Sequence, residues 1–449
     1  MGVDPDLLVT GGVVTDSRLA GPGSVFVAVR GERTDGHDHA ASAVAAGAAL
    51  VIAERPVDAP HVLVTDSVTA LGELARHVLA VLRAEGELRV VGLTGSVGKT
   101  TTKDVLAQVL AQAGPTVAPR ESFNNEIGLP LTVLSATRET RYLVLEMGAS
   151  GPGHIAYLTR IAPLDVAVVL IVGHAHMGGF GSIDAVARAK AEIVAGLRAD
   201  GTAVLNADDR RVASMAAGAP GPVVWFGRGE DADVRAGDIT LDEQARPSFV
   251  LDTDASGART RHRVRLALHG EHQVSNALAV AGAALALGLD PGFVAGALSE
   301  AHRVSAHRMA VTARPDGVTV VDDAYNANPD SMAAALRAVA AMPARRRVAV
   351  LGEMLELGDE TDVAHEEAGR LAAELGIDVV VAPGPAGPPV RRGVGTDGPR
   401  VHTPTDVDAA AALLDELLQE GDLVLLKGSN GSGVWRLAEQ LTEGGGAEW

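Results

Sequence analysis

The sequence predicts an α/β protein built from three domains. The chain has 449 residues, and compact domains usually hold about 100 to 200. In the middle and C-terminal parts, short apolar runs alternate with helical segments, the pattern of parallel sheets covered by helices. A glycine- and serine-containing turn at 94–98 joins one such strand to its helix. We place the domains at 1–86, 87–306 and 307–449.

The first domain is predicted from a few short elements. Apolar runs at 24–29 and 50–53 are β-like, and an alanine-rich segment near 39–47 is helical in pattern. A longer helix is predicted at 68–84, and the Glu-Gly-Glu string at 85–87 indicates a linker.

The middle domain is predicted as a parallel sheet, because its apolar runs are those of strands buried on both faces. These strands are predicted at 88–93, 142–146, 166–172 and 202–206. The helices between and after them are predicted at 100–113, 183–199 and 275–287. A polar stretch at 231–268 is predicted as a β-rich excursion from this sheet.

The third domain is predicted as a second open α/β unit. Its strands are expected at 318–322, 347–351, 379–382 and 423–427, with helices between them. The glycine- and proline-rich segment 383–400 is predicted as a surface loop.

Composition excludes several classes of function. The formal net charge is −19 and no long basic stretch occurs, which argues against nucleic acid and anionic membranes as partners. There is no cysteine, so disulfides, thiolate nucleophiles and Cys-ligated metals are excluded. The longest apolar run, 166–172, is far shorter than the roughly 20 residues that cross a bilayer, and no signal-type segment follows Met1. We therefore expect a cytoplasmic protein that does not insert into membranes.

The turn at 94–98 has the context of a phosphate-binding loop. A strand precedes it and Lys99 opens a helix, so amide N–H groups and a helix N-terminus converge where an anion can bind. The usual spacing is not met, because Leu93 stands where the first glycine belongs and Gly92 is one residue early. Lys99 would contact the β- and γ-phosphates, and Thr100 would ligate Mg²⁺. The predicted nucleotide contacts are Gly95, Ser96, Val97, Gly98, Lys99, Thr100 and Thr101; an ordinary glycine turn is the alternative.

Lysine is scarce in this chain. Four lysines stand against 34 arginines, and arginine replaces lysine easily on a solvated surface but not where a compact ammonium or a neutral amine is needed. Lys99, Lys190 and Lys427 are therefore candidates for chemistry. Chance survival in an arginine-biased chain is the alternative for each, and we favour it for Lys103.

Two further side chains are candidate metal ligands. Glu146 ends a predicted buried strand, and sites in open α/β sheets lie at those ends, where a carboxylate can hold Mg²⁺. His176 lies in the glycine-rich string that follows the next strand, and Lys190 lies on the helix after it. The alternatives are a solvated carboxylate, a hydrogen-bonded histidine and a surface lysine.

These segments together resemble the Mur ligases, the ATP-dependent ligases of peptidoglycan assembly. The likeness covers nearly the whole chain in order, and the string Asp-Ala-Tyr-Asn-Ala-Asn-Pro-Asp-Ser at 323–331 is its most specific part. The other matching strings are 15–18, 22–28, 35–37, 94–101, 123–130, 146–149, 176–182, 189–192, 206–209, 270–277, 351–358 and 427–429.

The resemblance implies a UDP-sugar-binding first domain, a central ATP-binding domain and a Rossmann-like third domain that binds the nucleoside and the incoming amine. It implies that a UDP-N-acetylmuramoyl-tripeptide carboxylate is joined to D-alanyl-D-alanine through an acyl phosphate, with release of ADP and phosphate. The implied cofactors are ATP, two Mg²⁺ ions and CO₂ bound as a lysine carbamate. The partners would be these small molecules only, and the protein would be a monomer.

The resemblance also assigns roles by position. Lys99, Lys190 and His176 would be catalytic, with Lys190 the carbamylated lysine. Thr100, Glu146, His176 and Lys190 would hold metal. Asn276 and Asp323 would contact the nucleoside, with Tyr325 beside them. Arg308 would belong to the same cofactor-binding set, at the hinge where the third domain begins. Ser17, Arg18, Asp35, Gly36, His37, Asn125, Asn326, Asn328, Lys427 and Ser429 would bind the peptide substrates.

Departures from the family pattern leave the donor and acceptor open. Asp322 stands where asparagine is more usual, Gly179 where an acidic residue is common, and Val434-Trp435 where an acidic pair is common. A paralogous Mur-type ligase of natural-product assembly is therefore an alternative. A folylpolyglutamate-type ligase and a non-catalytic nucleotide-binding protein are two others.

Overall fold

The computed structural model describes residues 7–31, 34–119, 121–174, 177–254, 259–442 and 447–448. Within them the chain forms three sheets of four, nine and seven strands, each covered by helices. The predicted three-part α/β fold is confirmed. The exact limits of the domains stay a prediction. No helix in this part of the chain is both long and apolar enough to cross a membrane.

The first sheet is small and wholly parallel. Its order is β1-β2-β3-β4. Its elements are β1 (Val13–Val14), β2 (Val25–Val27), α1 (Ala40–Ala45), β3 (Leu50–Ala53), β4 (His61–Leu63) and α2 (Ser67–Glu85). Asp66 caps α2 by accepting a hydrogen bond from the Thr69 backbone N–H at 2.6 Å, which satisfies one of the free donors of the first turn.

The central sheet has the order β13-β12-β11-β10-β9-β8-β5-β7-β6. Its first elements are β5 (Arg89–Thr94), α3 (Lys99–Ala111), β6 (Thr116–Val117), α4 (Gly128–Leu134), β7 (Tyr142–Glu146), α5 (His154–Ile161), β8 (Leu164–Val169), α6 (Met177–Phe180), α7 (Ile183–Ala195) and β9 (Leu197–Asn206). The remainder are α8 (Arg210–Ser214), β10 (Val223–Gly227), β11 (Val234–Leu241), β12 (Pro247–Thr253), β13 (Thr260–Arg265), α9 (Gln273–Ala286) and α10 (Pro291–Glu300).

The central strands pair in parallel as far as β11, and β11, β12 and β13 then run antiparallel to one another. This confirms both the parallel core and the β-rich excursion at 231–268. Apolar side chains pack on both faces of the sheet, against α3 and α9 on one face and α5 and α7 on the other. Two-sided burial explains why these strands are continuous apolar runs.

The third sheet has the order β18-β17-β16-β19-β15-β14-β20, and β14 is antiparallel to both neighbours. Its elements are β14 (Ala310–Ala313), β15 (Thr319–Asp322), α11 (Pro329–Ala341), β16 (Arg346–Leu351), α12 (Thr361–Glu374), β17 (Val379–Val381), α13 (Gly387–Val394), β18 (Arg400–His402), α14 (Val407–Leu417), β19 (Asp422–Lys427), α15 (Trp435–Thr442) and β20 (Ala447–Glu448).

The predicted surface loop at 383–400 is wrong, because the segment contains α13 and ends where β18 begins. Proline is tolerated in the first turn of a helix, where the missing N–H has no partner to lose, and the prolines of α13 lie at that end. The helix packs so closely on α12 that a Cβ on Gly393 would overlap the backbone carbonyl of Glu366. Gly393, one of the glycines that suggested a loop, therefore serves helix–helix packing.

Candidate active site

The phosphate-binding loop has the geometry that its sequence predicts. Gly98 precedes α3 with φ 83°, a left-handed conformation that favours glycine. A Cβ there would lie 2.5 Å from Asn276 Oδ1, so the loop also needs glycine for the close approach of α9. Lys99 Nζ donates to the Gly95 carbonyl at 2.8 Å, across the turn that would cradle a phosphate.

Lys99 lies in a crowded, partly buried position at the start of α3. Burial lowers the pKa of its ammonium, the Glu146 carboxylate opposes this shift, and the Arg308 guanidinium adds to it. Lys99, Arg308 and Glu146 therefore converge at the loop, two cations with one carboxylate. This excess of positive charge favours the binding of a polyanionic ligand.

Glu146 ends β7 beside the loop and is 1% exposed. Its carboxylate accepts from Thr100 Oγ1 at 3.0 Å and from Asn124 Nδ2 at 2.8 Å. Thr100 Oγ1 also lies 2.9 Å from Ser122 Oγ. One carboxylate and two hydroxyls facing a phosphate loop match Mg²⁺, which takes few protein ligands and completes its shell with phosphate and water.

The other predicted metal ligands give a mixed result. Lys190 on α7 is 4% exposed; burial first, and the Lys99 charge second, lower the pKa of its amine well below the ordinary value. It does not line the main cavity. His176 lies outside the described residues. Among those described, no three His, Asp or Glu side chains converge as a ready-made metal cluster.

The third domain closes over the phosphate loop. Asn328, the N-cap of α11, points its Nδ2 at the Ser96 carbonyl at 3.4 Å. Asp330 Oδ2 in the first turn of α11 accepts from the His174 backbone N–H at 2.8 Å. These contacts bring the string at 323–331 to the mouth of the central sheet.

Arg308 crosses between the two domains. Its guanidinium lies 4.1 Å from the ring centroid of Tyr325, a cation–π distance, and its Nη2 donates to Thr100 Oγ1 at 3.1 Å. Its buried Nε has no hydrogen-bond partner in the described part of the chain, which leaves a donor for a ligand. Arg308, Asp323 and Tyr325 are thus brought together as predicted.

Lys427 lies at the end of β19, is 1% exposed and stabilises the opposite wall of the site, which the third domain forms. Its Nζ donates to Asp323 Oδ2 at 2.6 Å and to the Asn326 carbonyl at 3.0 Å. Ser429 lies behind this wall: its Oγ donates to the Ala327 carbonyl at 3.2 Å and accepts from the Leu355 N–H at 3.0 Å. Lys427 therefore shapes the 323–327 segment as well as facing the cavity.

These walls enclose one cavity of about 590 Å³. It brings together most predicted residues, namely Ser96, Val97, Gly98, Lys99, Thr100, Thr101, Asn125, Glu146, Asn276, Arg308, Asp323, Tyr325, Asn326, Asn328 and Lys427. Sequence reasoning missed further lining residues: Ser122, Asn124, Glu126, Ser150, His154, His272, Gln273 and Ser331. Asn124, Glu126 and His272 lie inside the strings at 123–130 and 270–277 that resemble the Mur ligases. Their place in those strings was the signal that could have identified them.

The residues predicted in the first domain lie away from this cavity. His37 is 4% exposed; its Nδ1 lies 2.5 Å from Asp35 Oδ1 and its Nε2 accepts from the Glu54 N–H at 2.8 Å. The His37 backbone and ring hold the pKa of Asp35 down at about 2. Arg18 is exposed and paired with Asp16 at 2.6 Å. The structure accounts for Asp35, His37 and Arg18 through local hydrogen bonds that stabilise the fold. Ser17, Gly36 and their neighbours remain predicted substrate contacts.

Family comparison agrees with this geometry. Models of the Mur ligase family match at three places: the catalytic domain at 10–79, the middle domain at 93–284 and the glutamate ligase domain at 307–430. Together with the relatives below, these matches show that the chain belongs to the Mur ligase family.

Within that family the chain is similar to one particular enzyme. The UDP-N-acetylmuramoyl-tripeptide–D-alanyl-D-alanine ligase of Mycobacterium tuberculosis is 47% identical over 96% of this chain and 92% of its own. The crystal structure of MurF from Thermotoga maritima in complex with ADP has a TM-score of 0.82 at 32% identity, covering 98% and 99% of the two chains. The UDP-N-acetylmuramoylalanyl-D-glutamyl-2,6-diaminopimelate–D-alanyl-D-alanyl ligase of Acinetobacter baumannii has a TM-score of 0.83 at 33% identity, covering 96% and 92%.

Proposed function

We propose that this protein joins D-alanyl-D-alanine to the peptide carboxylate of UDP-N-acetylmuramoyl-tripeptide, at the expense of ATP, in the cytoplasmic synthesis of peptidoglycan precursors. The observation that carries the proposal is the convergence of the phosphate loop, Glu146 and the Lys427–Asp323 wall around a single cavity. The likeness to ligases of this activity over nearly the full chain supports the same conclusion.

The residues present fit ATP and Mg²⁺. Gly98 leaves room for backbone N–H groups to face phosphate, and Lys99 lies across that turn. The unpartnered Nε of Arg308 offers a further donor. Glu146, Thr100 and Ser122 would hold the ion, which neutralises charge on the phosphates when bound.

The chemistry would proceed in two displacements. An oxygen of the peptide carboxylate attacks the γ-phosphorus of ATP, the bond to the bridging oxygen breaks, and ADP leaves. Lys99 and the loop N–H groups stabilise charge on the transferring phosphoryl group, which is most of what such a step requires. The amine of D-alanyl-D-alanine then attacks the acyl carbon, loses a proton, and expels phosphate to leave the amide.

Closure of the third domain protects the intermediate. An acyl phosphate hydrolyses if water reaches it, and a closed site excludes water while it positions the amine. The contacts from Asn328 and Asp330 to the loop segments provide such a closed arrangement. The amine would enter from the side of the third domain, beside Asn326 and Lys427.

Lys190 fits a carbamate. Only a neutral amine adds CO₂, and the burial that lowers the pKa of this amine well below its ordinary value favours the neutral form. The carbamate would supply a further carboxylate to orient Mg²⁺ near Lys99. This role would account for a lysine kept in an arginine-biased chain.

The test is coupled measurement of ADP and product. Purified protein is given ATP and Mg²⁺ with UDP-N-acetylmuramoyl-tripeptide, with D-alanyl-D-alanine, or with both, and the product is identified by mass. We expect ADP release that depends on both peptides, with one amide formed per ADP. Release that is independent of the peptides would contradict ligase action, and release that needs a different amine would favour the paralogue of natural-product assembly.

A further inference from the structure

Lys103 is a buried charged residue that the proposed chemistry does not use. Its side chain is 0% exposed. Its Nζ donates to the Pro119 carbonyl at 2.7 Å and pairs with Asp104 Oδ1 at 2.6 Å. A charge is costly to bury unless it is paired and hydrogen-bonded, and these two contacts meet that need. Lysine is scarce in this chain, and a compact ammonium fits a fully enclosed position better than a planar guanidinium.

Asp104 connects Lys103 to the link between the second and third domains. Its Oδ2 accepts from the Ser305 hydroxyl at 2.6 Å and from the Ser305 backbone N–H at 3.2 Å. Each oxygen of the carboxylate is thus held by a different partner, which fixes its orientation. The ion pair on α3 therefore anchors the link at Ser305.

The link follows one face of α3. Three side chains of the helix, each four residues from the next, hydrogen-bond to it: Gln108 to His302, Asp104 to Ser305, and Thr100 to Arg308. A spacing of four residues places side chains on the same face of a helix. Arg308 therefore reaches Thr100 from a segment that is already bound to the helix, and the position of that segment sets the position of the guanidinium.

The same helix also holds the segment that carries Ser122. Pro119, which accepts from Lys103, precedes Ser122 by three residues, and Ser122 Oγ lies 2.9 Å from Thr100 Oγ1. The link and this segment thus meet α3 at two levels, at Thr100 and one turn further on at the pair of Lys103 and Asp104. Because Thr100 is a candidate ligand for Mg²⁺, the placement of both segments affects the group that would bind the ion.

A buried ion pair moves as a unit. Separating its partners would leave an uncompensated charge in the interior, which is strongly unfavourable, and the close packing of the interior leaves little free space for independent movement. A shift of the link at Ser305 is therefore passed through Asp104 and Lys103 to the backbone at Pro119, and from there to Ser122.

We propose that Lys103 is a positioning residue for the ligase reaction. Through Asp104 it couples the link to the segment of Ser122, so that docking of the third domain and alignment of the groups around Thr100 occur together. The inference rests on the proposed function. Lys103 does not line the cavity, so it acts through the groups that it holds.

The first variant, Lys103→Met/Asp104→Asn, breaks this connection without leaving a buried charge unpaired. Methionine cannot donate to the Pro119 carbonyl, whereas asparagine can still accept from Ser305. Removal of only one charge would leave the other buried alone. Ser305→Ala breaks the connection at its other end, and a third protein carries all three substitutions.

The measured quantities are kcat for peptide-dependent ADP release and the Kd for ATP. We expect Lys103→Met/Asp104→Asn and Ser305→Ala each to lower kcat about tenfold, the effect of one hydrogen bond to a charged group, with the Kd for ATP nearly unchanged. The combined protein should also lose only about tenfold, because both changes interrupt one connection, whereas independent effects would multiply to about 100-fold. Gln112→Ala, which removes a hydrogen bond to Glu300 at the exposed end of α3, should keep the full kcat.

A second cycle leaves the buried pair intact and so does not depend on the folding of the first variant. It combines Ser122→Ala with Ser305→Ala, two residues that contact α3 from different segments. We expect the loss in kcat for the pair of substitutions to be smaller than the product of the two single losses.

Several outcomes would overturn the proposal. Multiplied losses in either cycle would mean that the two ends act independently. An unchanged kcat in Lys103→Met/Asp104→Asn together with a lower melting temperature would make the pair a core contact only. A rise in the Kd for ATP that matches the loss in kcat would place the effect in the phosphate loop. Failure of the ligase function itself is seen separately, because the unaltered protein would then show no peptide-dependent release of ADP.

Discussion

Ser305 in the link between the second and third domains donates its hydroxyl to Asp104 Oδ2 at 2.6 Å, and its backbone N–H lies 3.2 Å from the same oxygen. Asp104 is one turn after Thr100 on α3. The helix that begins at the phosphate loop is therefore also hydrogen-bonded to the link between the domains. The other oxygen of Asp104 pairs at 2.6 Å with Lys103 Nζ, which is wholly buried. Lys103 is therefore a core ion-pair partner, whereas the sequence favoured its chance survival in an arginine-biased chain.

Loss of the Ser305 hydroxyl should impair closure more than nucleotide binding. The link turns sharply after Ser305, with positive φ at His307 and Met309, and delivers Arg308 to Thr100. In Ser305→Ala we expect kcat to fall about tenfold, the effect of one hydrogen bond to a charged group, with the Kd for ATP nearly unchanged. Steady-state kinetics and nucleotide titration measure the two quantities. Ser305→Thr should restore kcat. The control is Ser299→Ala, which removes a hydroxyl that donates to the Ala295 carbonyl and accepts from the Arg265 N–H, away from the link. A matching rise in the Kd for ATP in Ser305→Ala would argue against the idea.

Gly98→Ala should weaken ATP binding. The substitution meets a left-handed backbone, φ 83°, and a contact of 2.5 Å with Asn276. Strain of about 1–3 kcal/mol corresponds to roughly 10- to 100-fold in Kd for ATP. Gly151→Ala is a matched control, because its Cβ would meet open space. Unchanged nucleotide affinity in Gly98→Ala would show that the loop is not the phosphate site.

Lys190→Ala should abolish most ligase activity and respond to added carboxylic acids. Without the side chain, formate or acetate could occupy the position of the carbamate carboxylate, so phosphate release should partly recover in these salts and not in chloride of equal ionic strength. Lys190→Arg should resist rescue because its side chain fills the space. Arg188→Ala, on the exposed face of the same helix, should remain active; full activity of Lys190→Ala without rescue would disprove the carbamate assignment.

Asp322→Asn should stabilise the protein at neutral pH. Burial raises the pKa of Asp322, against the opposing effect of His307, whose Nδ1 lies 2.7 Å away. Because the folded-state pKa lies above the unfolded one, the stability that Asp322 contributes is fully present below the unfolded pKa and is lost as pH rises through the folded pKa. Asparagine keeps a partner for His307 and does not ionise, so it places no charge in this buried position.

The check is the melting temperature of both proteins across pH 5 to 8. We expect the gain from Asp322→Asn to grow with pH. Asp316→Asn should show the opposite sign, because the Arg314 side chain lowers the pKa of that carboxyl, so its stabilising effect is present at neutral pH and is lost in acid. A gain from Asp322→Asn that is constant with pH would rule out titration of this carboxylate as the cause.

The strands and helices that could be predicted are those whose apolar residues recur with a regular period. The run at 142–146 is β7 to the residue, and the phosphate loop was found from a strand, a turn and a lysine in spite of imperfect spacing. The segment 383–400 was misread because glycine and proline indicate loops on average, whereas here their meaning depends on α12. Helix–helix contact of that kind has no signature in a single segment.

The site was predictable only in pieces. Glu146, Arg308 and Lys427 come from distant segments, and a resemblance across the whole chain was needed to group them. His154 escaped notice because nothing local distinguishes it from a surface histidine. Its contact with Glu126 depends on a turn held by Glu192 from another helix.

The sequence by itself determined three α/β units, a loop able to hold phosphate, and a small set of lysines with reason to be kept, because these follow from local periodicity and from the chemistry of single residues. Only the tertiary structure decided that Arg308 meets Thr100, that Lys103 is buried against Asp104, and that Glu126 meets His154. Such facts depend on distances between segments far apart in the chain, and burial, pairing and charge are properties of that assembled arrangement.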